Sequence, residues 1–149
     1  MIGCVLGFFA ASLPAVATAQ QGQVYQGSPR LPDFQGLDRR FGSFRTRISD
    51  EMRTGPNFAW HYAIVEIGCG SSCRFVLVGD VATGRVYEFP YGGEEFYMLN
   101  IRYNVKDNYV TARWIEDDVC MGDTLEWDGT RFSSLNMRVV GAQMICEAM

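Results

Sequence analysis

The stretch HYAIVEIGCGSSCRFVLVGD, residues 61–80, carries two cysteines four positions apart inside a run of β-forming residues. In a straight strand the Cα atoms of Cys69 and Cys73 would lie about 13 Å apart, at about 3.3 Å per residue. A disulfide tolerates a Cα separation of about 7 Å at most. A direct bond therefore requires residues 70–72 to fold back, which Gly-Ser-Ser suits because glycine accepts positive φ and serine bonds its own backbone in turns. The stretch is predicted to be two strands joined by a disulfide-clamped turn.

Two further cysteines, Cys120 and Cys146, follow this pair. The fifth cysteine of the chain, Cys4, lies in the predicted signal peptide, so the mature domain has four. An even number of cysteines in a small exported domain indicates disulfides, and four cysteines allow three pairings. We predict bonds Cys69–Cys73 and Cys120–Cys146, which would stabilise the fold by about 2 and about 3.6 kcal/mol on the chain-entropy account. The alternative is a straight strand whose two cysteines reach Cys120 and Cys146 separately.

Other roles for the cysteines fit the spacing less well. A four-cysteine zinc site usually has two closely spaced pairs, whereas Cys120 and Cys146 lie far apart and have no histidine beside them. A thiol-redox site needs C-x-x-C near a helix start, and the spacing here is C-x-x-x-C among strands. A catalytic pair of Cys69 with His61 would span about 26 Å along an extended strand. We therefore expect no catalytic residue, no metal and no cofactor.

The amino terminus is typical of a secretory signal peptide. An apolar run covers residues 2–11, an Ala-Thr-Ala sequence occupies residues 17–19, and cleavage is expected before Gln20. The apolar run is shorter than the ~20 residues that span a bilayer. Residues 1–19 are thus predicted to be a signal peptide, no membrane span is expected after its removal, and the protein is expected to be periplasmic or secreted.

Charge is distributed unevenly along the chain. Residues 20–60 hold six arginines and four acids, residues 61–149 hold seven bases and thirteen acids, and the net charge is −4. An acidic domain repels phosphate backbones, so nucleic acid is not expected as a partner. A cationic envelope or secreted protein is compatible with this charge.

The hydrophobic pattern predicts a flexible leader followed by one domain. Residues 20–36 are rich in Gln, Gly and Pro and show no apolar period, whereas residues 37–149 are expected to fold as a single α+β domain. Apolar residues recur at helical spacing over residues 37–52, and a Gly-Pro stop follows. One helix is therefore expected, most firmly over residues 43–54.

After Asn57, short aromatic and β-branched runs alternate with turn signals such as Asp128-Gly129. Seven or eight such runs occur at regular spacing. The expected fold class is α+β, with one N-terminal helix packed on a mainly antiparallel sheet of seven to eight short strands and stabilised by disulfides.

The candidate binding residues lie in two loops. The first is the clamped turn, and the second is a loop over residues 91–96 that combines aromatic rings with charges. The candidate residues are Gly70, Ser71, Ser72, Tyr91, Glu94, Glu95 and Phe96. The other acids fall at turns without the regular spacing of a calcium loop, and a solvated loop face is predicted for Glu116, Asp117, Asp118, Asp123, Glu126 and Asp128.

Residues 55–87 read GPNFAWHYAIVEIGCGSSCRFVLVGDVATGRVY. This stretch resembles a group of small exported bacterial proteins of unknown function, whose pattern is GPNFAGHY, a short strand, GCG-x-x-C, and a D-x-x-T-G-x-V-Y hairpin. The resemblance covers roughly residues 43–90, and Trp60 stands where the group usually has Gly. Because the group has no agreed activity, the resemblance implies no functional residue.

The clamped turn is also similar, in architecture only, to that of periplasmic lysozyme inhibitors. Those proteins present a short disulfide-clamped loop to the enzyme's cleft, with a His between the cysteines where this chain has Gly-Ser-Ser. The likeness implies a protein that binds a macromolecule rather than transforming a substrate.

The sequence thus predicts an exported, non-enzymatic, inhibitor- or immunity-like binding protein that acts through the clamped turn and acidic loops. A disulfide-held turn loses little entropy on docking, which favours tight recognition. One alternative is a hydrolase that uses clustered carboxylates, which requires a convergent pair about 5–9 Å apart in a concave pocket. Another is an envelope structural or stress protein with no dedicated ligand.

Overall fold

The structure is a computed structural model that describes residues 22–148. A 3₁₀ helix, Arg39–Phe44, leads directly into helix α1, Arg45–Arg53. Helix α1 ends at Arg53, and two residues later Gly55 has a φ of +96°, the left-handed conformation that glycine accepts without a Cβ penalty. The predicted N-terminal helix is confirmed, and its first part is wound as 3₁₀ rather than α.

Eight antiparallel strands follow, and they form two sheets instead of one. The first sheet has the order β1-β2-β3, and the second has the order β4-β5-β6-β7. Strand β8 also pairs with β6, at the start of that strand, whereas β7 pairs with its end. A four-residue helix α2 closes the chain. The bounds are β1 Tyr62–Gly70, β2 Cys73–Asp80, β3 Val86–Glu88, β4 Tyr97–Arg102, β5 Tyr109–Glu116, β6 Val119–Trp127, β7 Phe132–Ser134, β8 Arg138–Ala142 and α2 Met144–Glu147.

The first sheet is buried on both faces, which makes the molecule a stack of helix, sheet and sheet. In β1, Tyr62 and Ile64 pack toward the second sheet, whereas Ala63 and Val65 pack toward the helical segment. A strand covered on both faces has no need of polar residues at alternate positions, which accounts for the nearly continuous apolar runs of β1 and β2.

Helix α1 sits close to β2 because of a glycine. A Cβ built on Gly79 would lie 2.5 Å from Sδ of Met52, a fully buried residue of α1. The absent side chain therefore lets the helix approach the strand, and this contact holds the helical layer against the first sheet.

Both predicted disulfides are confirmed. Cys69 and Cys73 are bonded with their Cα atoms 5.1 Å apart, and Cys120 and Cys146 are bonded with their Cα atoms 5.4 Å apart. The first bond clamps the β1–β2 hairpin, and the second ties α2 to β6. The straight-strand alternative is wrong because the chain reverses after Gly70, and the antiparallel pairing of β1 with β2 places Gly70 opposite Cys73.

Residues 22–36, for which the sequence predicts a flexible leader, lie against the folded body. The Tyr25 N–H donates a hydrogen bond to the Trp60 carbonyl at 2.8 Å, and the Arg30 N–H donates one to the Val81 carbonyl at 2.9 Å. Pro32 is buried, and the rings of Tyr25 and Phe34 pack against the helix-side core. Composition alone does not reveal these contacts, because they depend on partners distant in sequence.

The predicted signal peptide lies outside the described residues. Over residues 22–148, no helix is both long enough and apolar enough to cross a bilayer.

Candidate functional site

The clamped turn projects from the end of the β1–β2 hairpin. Gly70 has φ of +134° and Ser72 has φ of +59°, so the chain reverses within two residues between the paired Gly70 and Cys73. Ser71 and Ser72 are exposed, as is Cys69. The disulfide holds this reversal in place, so the turn is a rigid, solvent-facing feature.

Two backbone hydrogen bonds join the first sheet, close to this turn, to the chain that leads into β4. The Met98 N–H donates to the Ser72 carbonyl at 2.9 Å, and the Gly93 N–H donates to the Arg74 carbonyl at 2.9 Å. Residues 70–72 and 91–96, which the sequence picks out separately, are therefore brought side by side.

Within the second loop, Tyr91 is structural rather than exposed. Its hydroxyl donates a 2.6 Å hydrogen bond to the buried carboxylate of Asp123, and its ring lies 4.7 Å from the ring of Trp114. Burial, followed by the bond to Asp123, raises the pKa of Tyr91 well above its ordinary value. Phe96 is half-buried, with its ring 5.0 Å from that of Tyr91.

These contacts correct the expectation that both rings face a partner. Tyr91 and Phe96 anchor the loop in the core, and the exposed part of the loop is Glu94 with Glu95. The same inward anchoring makes the loop a fixed support for the two carboxylates.

A groove of about 460 Å³ opens beside the clamped turn. Arg74 forms an ion pair with Glu66, and the Tyr103 hydroxyl donates to the same carboxylate at 3.4 Å. Burial, and then the charge of Glu66, raises the pKa of Tyr103 to about 12. The remaining walls come from the turn, β4 and α2, and include Gly70, Ser72, Met98, Asn100 and Glu147.

The β5–β6 turn lies at the same end of the molecule. Ile115 pairs with Tyr97 at the start of β4, so the following Asp117-Asp118 turn falls near the loop that carries Glu94 and Glu95. Both aspartates are exposed and take positive φ, 48° and 61°. We call this surface the acidic end, and its exposed carboxylates are Glu94, Glu95, Glu116, Asp117, Asp118 and Glu147.

The other acids noted in the sequence lie elsewhere. Asp123 is buried, whereas Glu126 receives a bond from the Tyr109 hydroxyl at the opposite end of the β5–β6 hairpin. Asp128 caps its own turn, and backbone N–H bonds from Arg131 and Thr130 lower its pKa to about 2. In the described part of the chain, no group of three or more His, Cys, Asp or Glu is placed to hold a metal ion.

His61 does not meet Cys69. The histidine precedes β1, with Nδ1 3.7 Å from Oδ1 of Asp80, whereas Cys69 lies near the far end of the same strand. The histidine ring also packs edge-on against Tyr62, with the ring centroids 4.3 Å apart. A cysteine–histidine pair is therefore not assembled.

Two exposed aromatic residues near the turn are not among the binding residues that the sequence predicts. Phe75 is 40% exposed and Tyr97 is 48% exposed. Both stand at the beginnings of strands, where an aromatic residue in a sequence reads as core. Only the register of the strands and the helix position leave their rings uncovered.

Comparison of the chain with family models, with curated proteins and with solved structures finds no match in any of the three.

Proposed function

We propose that this protein is an exported, non-enzymatic binding protein of inhibitor or immunity type, and that it takes a cationic secreted or envelope protein at the clamped turn and the acidic end. The observation that carries this proposal is the pair of backbone hydrogen bonds that join Ser72 to Met98 and Arg74 to Gly93. They combine a disulfide-held turn and a carboxylate-bearing loop in one surface.

Rigidity supports the proposal. The turn is fixed by the Cys69–Cys73 bond, and the loop is fixed by Tyr91 and Phe96 in the core. A surface that is already ordered loses little conformational entropy when a partner docks, so more of its contact energy appears as affinity.

Charge supports a cationic partner. Six exposed carboxylates make up the acidic end, and the guanidinium of Arg74 in the adjoining groove is paired with Glu66. Complementary charge raises association rates and excludes partners of like charge. The exposed ring of Tyr97 supplies apolar contact area of the kind that aromatic residues give to interfaces.

The test is direct binding to a panel of purified basic secreted enzymes: a lysozyme, a nuclease and a protease. We expect at least one to bind, and we expect Ser71→Trp to weaken that binding by about tenfold or more, because the bulky ring blocks the turn. Ser133→Trp is the matched control, since Ser133 is an exposed serine paired with Glu126 at the opposite end of β6.

Charge is tested separately. Glu94→Gln with Glu95→Gln should weaken binding by about tenfold at low salt and less at high salt, because surface charge pairs are screened. Asp107→Asn with Glu126→Gln removes the same charge away from the acidic end and should change little. Absence of binding to every basic enzyme, or equal affinity of the Ser71→Trp variant, would contradict the proposal.

A further inference from the structure

A second and larger groove, of about 700 Å³, lies between the helical segment, strand β3 and the β6–β7 turn. Its volume is within the range of about 300–1,000 Å³ that is usual for ligand sites. The ring centroids of Phe44 and Phe75 are 5.9 Å apart, and those of Phe89 and Phe132 are 4.9 Å apart. We call it the aromatic groove, and its rings belong to Phe41, Phe44, Phe75, Tyr87, Phe89, Tyr91 and Phe132.

Strand β3 is the end strand of the first sheet and forms one side of this groove. The Asp80 N–H donates to the Arg85 carbonyl and the Phe89 N–H donates to the Val76 carbonyl, which shows which β3 residues bond to β2. In an antiparallel pair these residues alternate with residues whose backbone groups face the other way. The backbone groups of Val86 and Glu88 therefore face the outer edge of β3.

The two outward-facing positions differ in their surroundings. The Val86 N–H donates to Oδ1 of the buried Asp38 at 3.1 Å, so the chain itself covers that position. Among the described residues, no strand lies beyond Glu88. A short length of open edge is thus left where the aromatic groove begins.

Charge in the aromatic groove differs from that of the acidic end. The groove is lined by two guanidinium groups, Arg40 from the 3₁₀ helix and Arg131 from the β6–β7 turn, and by a single carboxylate, Glu88. Arg40 lies 3.3 Å from Glu88 and stacks over the Phe41 ring at 4.5 Å. Arg131 in turn lies 3.3 Å from Asp128. Because exposed ion pairs of this kind contribute little stability, a carboxylate entering the groove replaces Glu88 or Asp128 at these arginines without displacing core residues.

We propose that the aromatic groove binds an extended acidic peptide segment that adds to β3 as a further strand, with aromatic or large aliphatic side chains at alternate positions. Backbone bonds to Glu88 supply register, the rings receive every second side chain, and an Asp or Glu of the peptide pairs with Arg40 or Arg131. Open sheet edges beside apolar pockets recognise peptides in this manner. The groove adjoins the 91–96 loop through Tyr91 and Gly92, but it opens toward the helical segment rather than toward the clamped turn. It takes a partner of opposite charge to that of the proposed function.

The test uses the full-length protein with both disulfides formed and a phage-displayed library of short random peptides. Selection on the wild-type protein is compared with selection on the Arg40→Gln/Phe75→Ser variant. Arg40 is 62% exposed and Phe75 is 40% exposed, so both substitutions leave the core intact, which circular dichroism and thermal unfolding verify.

We expect the wild-type protein alone to enrich peptides with alternating apolar residues and at least one acid. The enriched peptides, synthesised with capped ends, should bind Phe75→Ser and Arg40→Gln about tenfold more weakly. Tyr109→Ser and Arg102→Gln, exposed positions of β5 and β4 outside the groove, are matched controls and should change affinity less than about twofold.

Backbone pairing is tested by N-methylating the peptide one residue at a time. A loss of affinity confined to alternate positions supports strand addition, because only every second N–H would face β3. The proposal is overturned if no peptide is enriched over the variant, if the enriched peptides are basic, if Phe75→Ser and Arg40→Gln bind them as the wild type does, or if N-methylation has no positional effect.

Discussion

Asn57 shows what a residue of the GPNFA sequence does in the fold. Its Oδ1 accepts from the Ile64 N–H at 2.7 Å, and its Nδ2 donates to the Ile64 carbonyl at 3.1 Å and to Oε1 of Glu51 at 3.0 Å. One side chain thus ties the end of α1 to the middle of β1. The role is structural, and it explains why an amide with both a donor and an acceptor stands at this position.

Trp60 occupies a backbone conformation that favours glycine. Ala59 and Trp60 have φ of 41° and 65°, in the left-handed region that costs most residues about 1 kcal/mol or more. The tight turn is held by the Trp60 N–H, which donates to the Val105 carbonyl at 2.7 Å, and by the bond from Tyr25 to the Trp60 carbonyl.

Two tyrosines with raised pKa values, the buried Tyr62 and the half-buried Tyr103, make the fold sensitive to alkaline pH. Burial, and then the charge of Asp80, raises the pKa of Tyr62 to about 12, and burial raises that of Tyr103 to about 12. In the unfolded chain a tyrosine releases its proton near pH 10. Between about pH 10 and 12 the folded state therefore binds more protons, so the free energy of unfolding falls as pH rises through this window and is fully retained below it.

We expect urea unfolding from pH 8 to 12 to show this decline, and Tyr62→Phe to make it shallower. At pH 8 the substitution should cost about 1 kcal/mol, because the Tyr62 hydroxyl donates to the Gly129 carbonyl at 3.2 Å. Tyr97→Phe, which removes a hydroxyl from a half-exposed ring, is the control. An unchanged pH slope in Tyr62→Phe would refute this account.

At the scale of elements, the two disulfides should contribute differently. We expect Cys120→Ala/Cys146→Ala to lower the free energy of unfolding by about 3.6 kcal/mol and Cys69→Ala/Cys73→Ala by about 2 kcal/mol, because the longer loop gains more freedom when unfolded. Burial reinforces the order, since Cys120 and Cys146 are buried whereas Cys69 is exposed. Denaturant unfolding of the two double variants measures both values.

Binding affinity should rank the same two double variants in the opposite order. Loss of the Cys69–Cys73 bond should weaken binding to a basic partner although the domain stays folded, because the turn is no longer fixed before docking. A larger loss of stability in Cys69→Ala/Cys73→Ala than in Cys120→Ala/Cys146→Ala would contradict the assigned roles.

Strand pattern was a good guide to element type and a poor guide to layering. The hairpins and the clamped turn follow from turn residues and cysteine geometry, which act over a few residues. The division of eight strands into two sheets follows instead from which faces of β1 and β2 meet the helix and which meet β5 and β6. Nothing local in the sequence specifies those distant contacts.

At the scale of the whole molecule, residues 22–36 are part of the packed structure. A Cβ on Gly84, whose φ is +85°, would lie 2.7 Å from the Leu31 carbonyl oxygen. The glycine of the Thr83-Gly84 turn thus makes room for the leader, and the bond from the Arg30 N–H to the Val81 carbonyl lies beside this contact.

We expect removal of the chain before Leu37 to lower the free energy of unfolding by about 2–4 kcal/mol, since four backbone hydrogen bonds to the rest of the chain and a buried proline are lost. Gly84→Ala gives a matched double-mutant cycle: it should destabilise the complete chain more than the truncated one, because only the complete chain contains Leu31. Equal stability of complete and truncated chains in urea would show that the leader does not contribute.

The sequence by itself determined the α+β class, the helix and the strand runs, because periodicity and turn residues are local properties. It favoured the two disulfide pairs over the straight-strand alternative, and the strand register then decided between them. The sequence also singled out the clamped turn and Glu94 with Glu95. Only the tertiary structure decided that these segments adjoin, that Tyr91 and Phe96 face inward, that the leader packs on the body, and that Phe75 lines an open aromatic groove. Each of these depends on contacts between residues far apart in the chain, which burial and strand register select together.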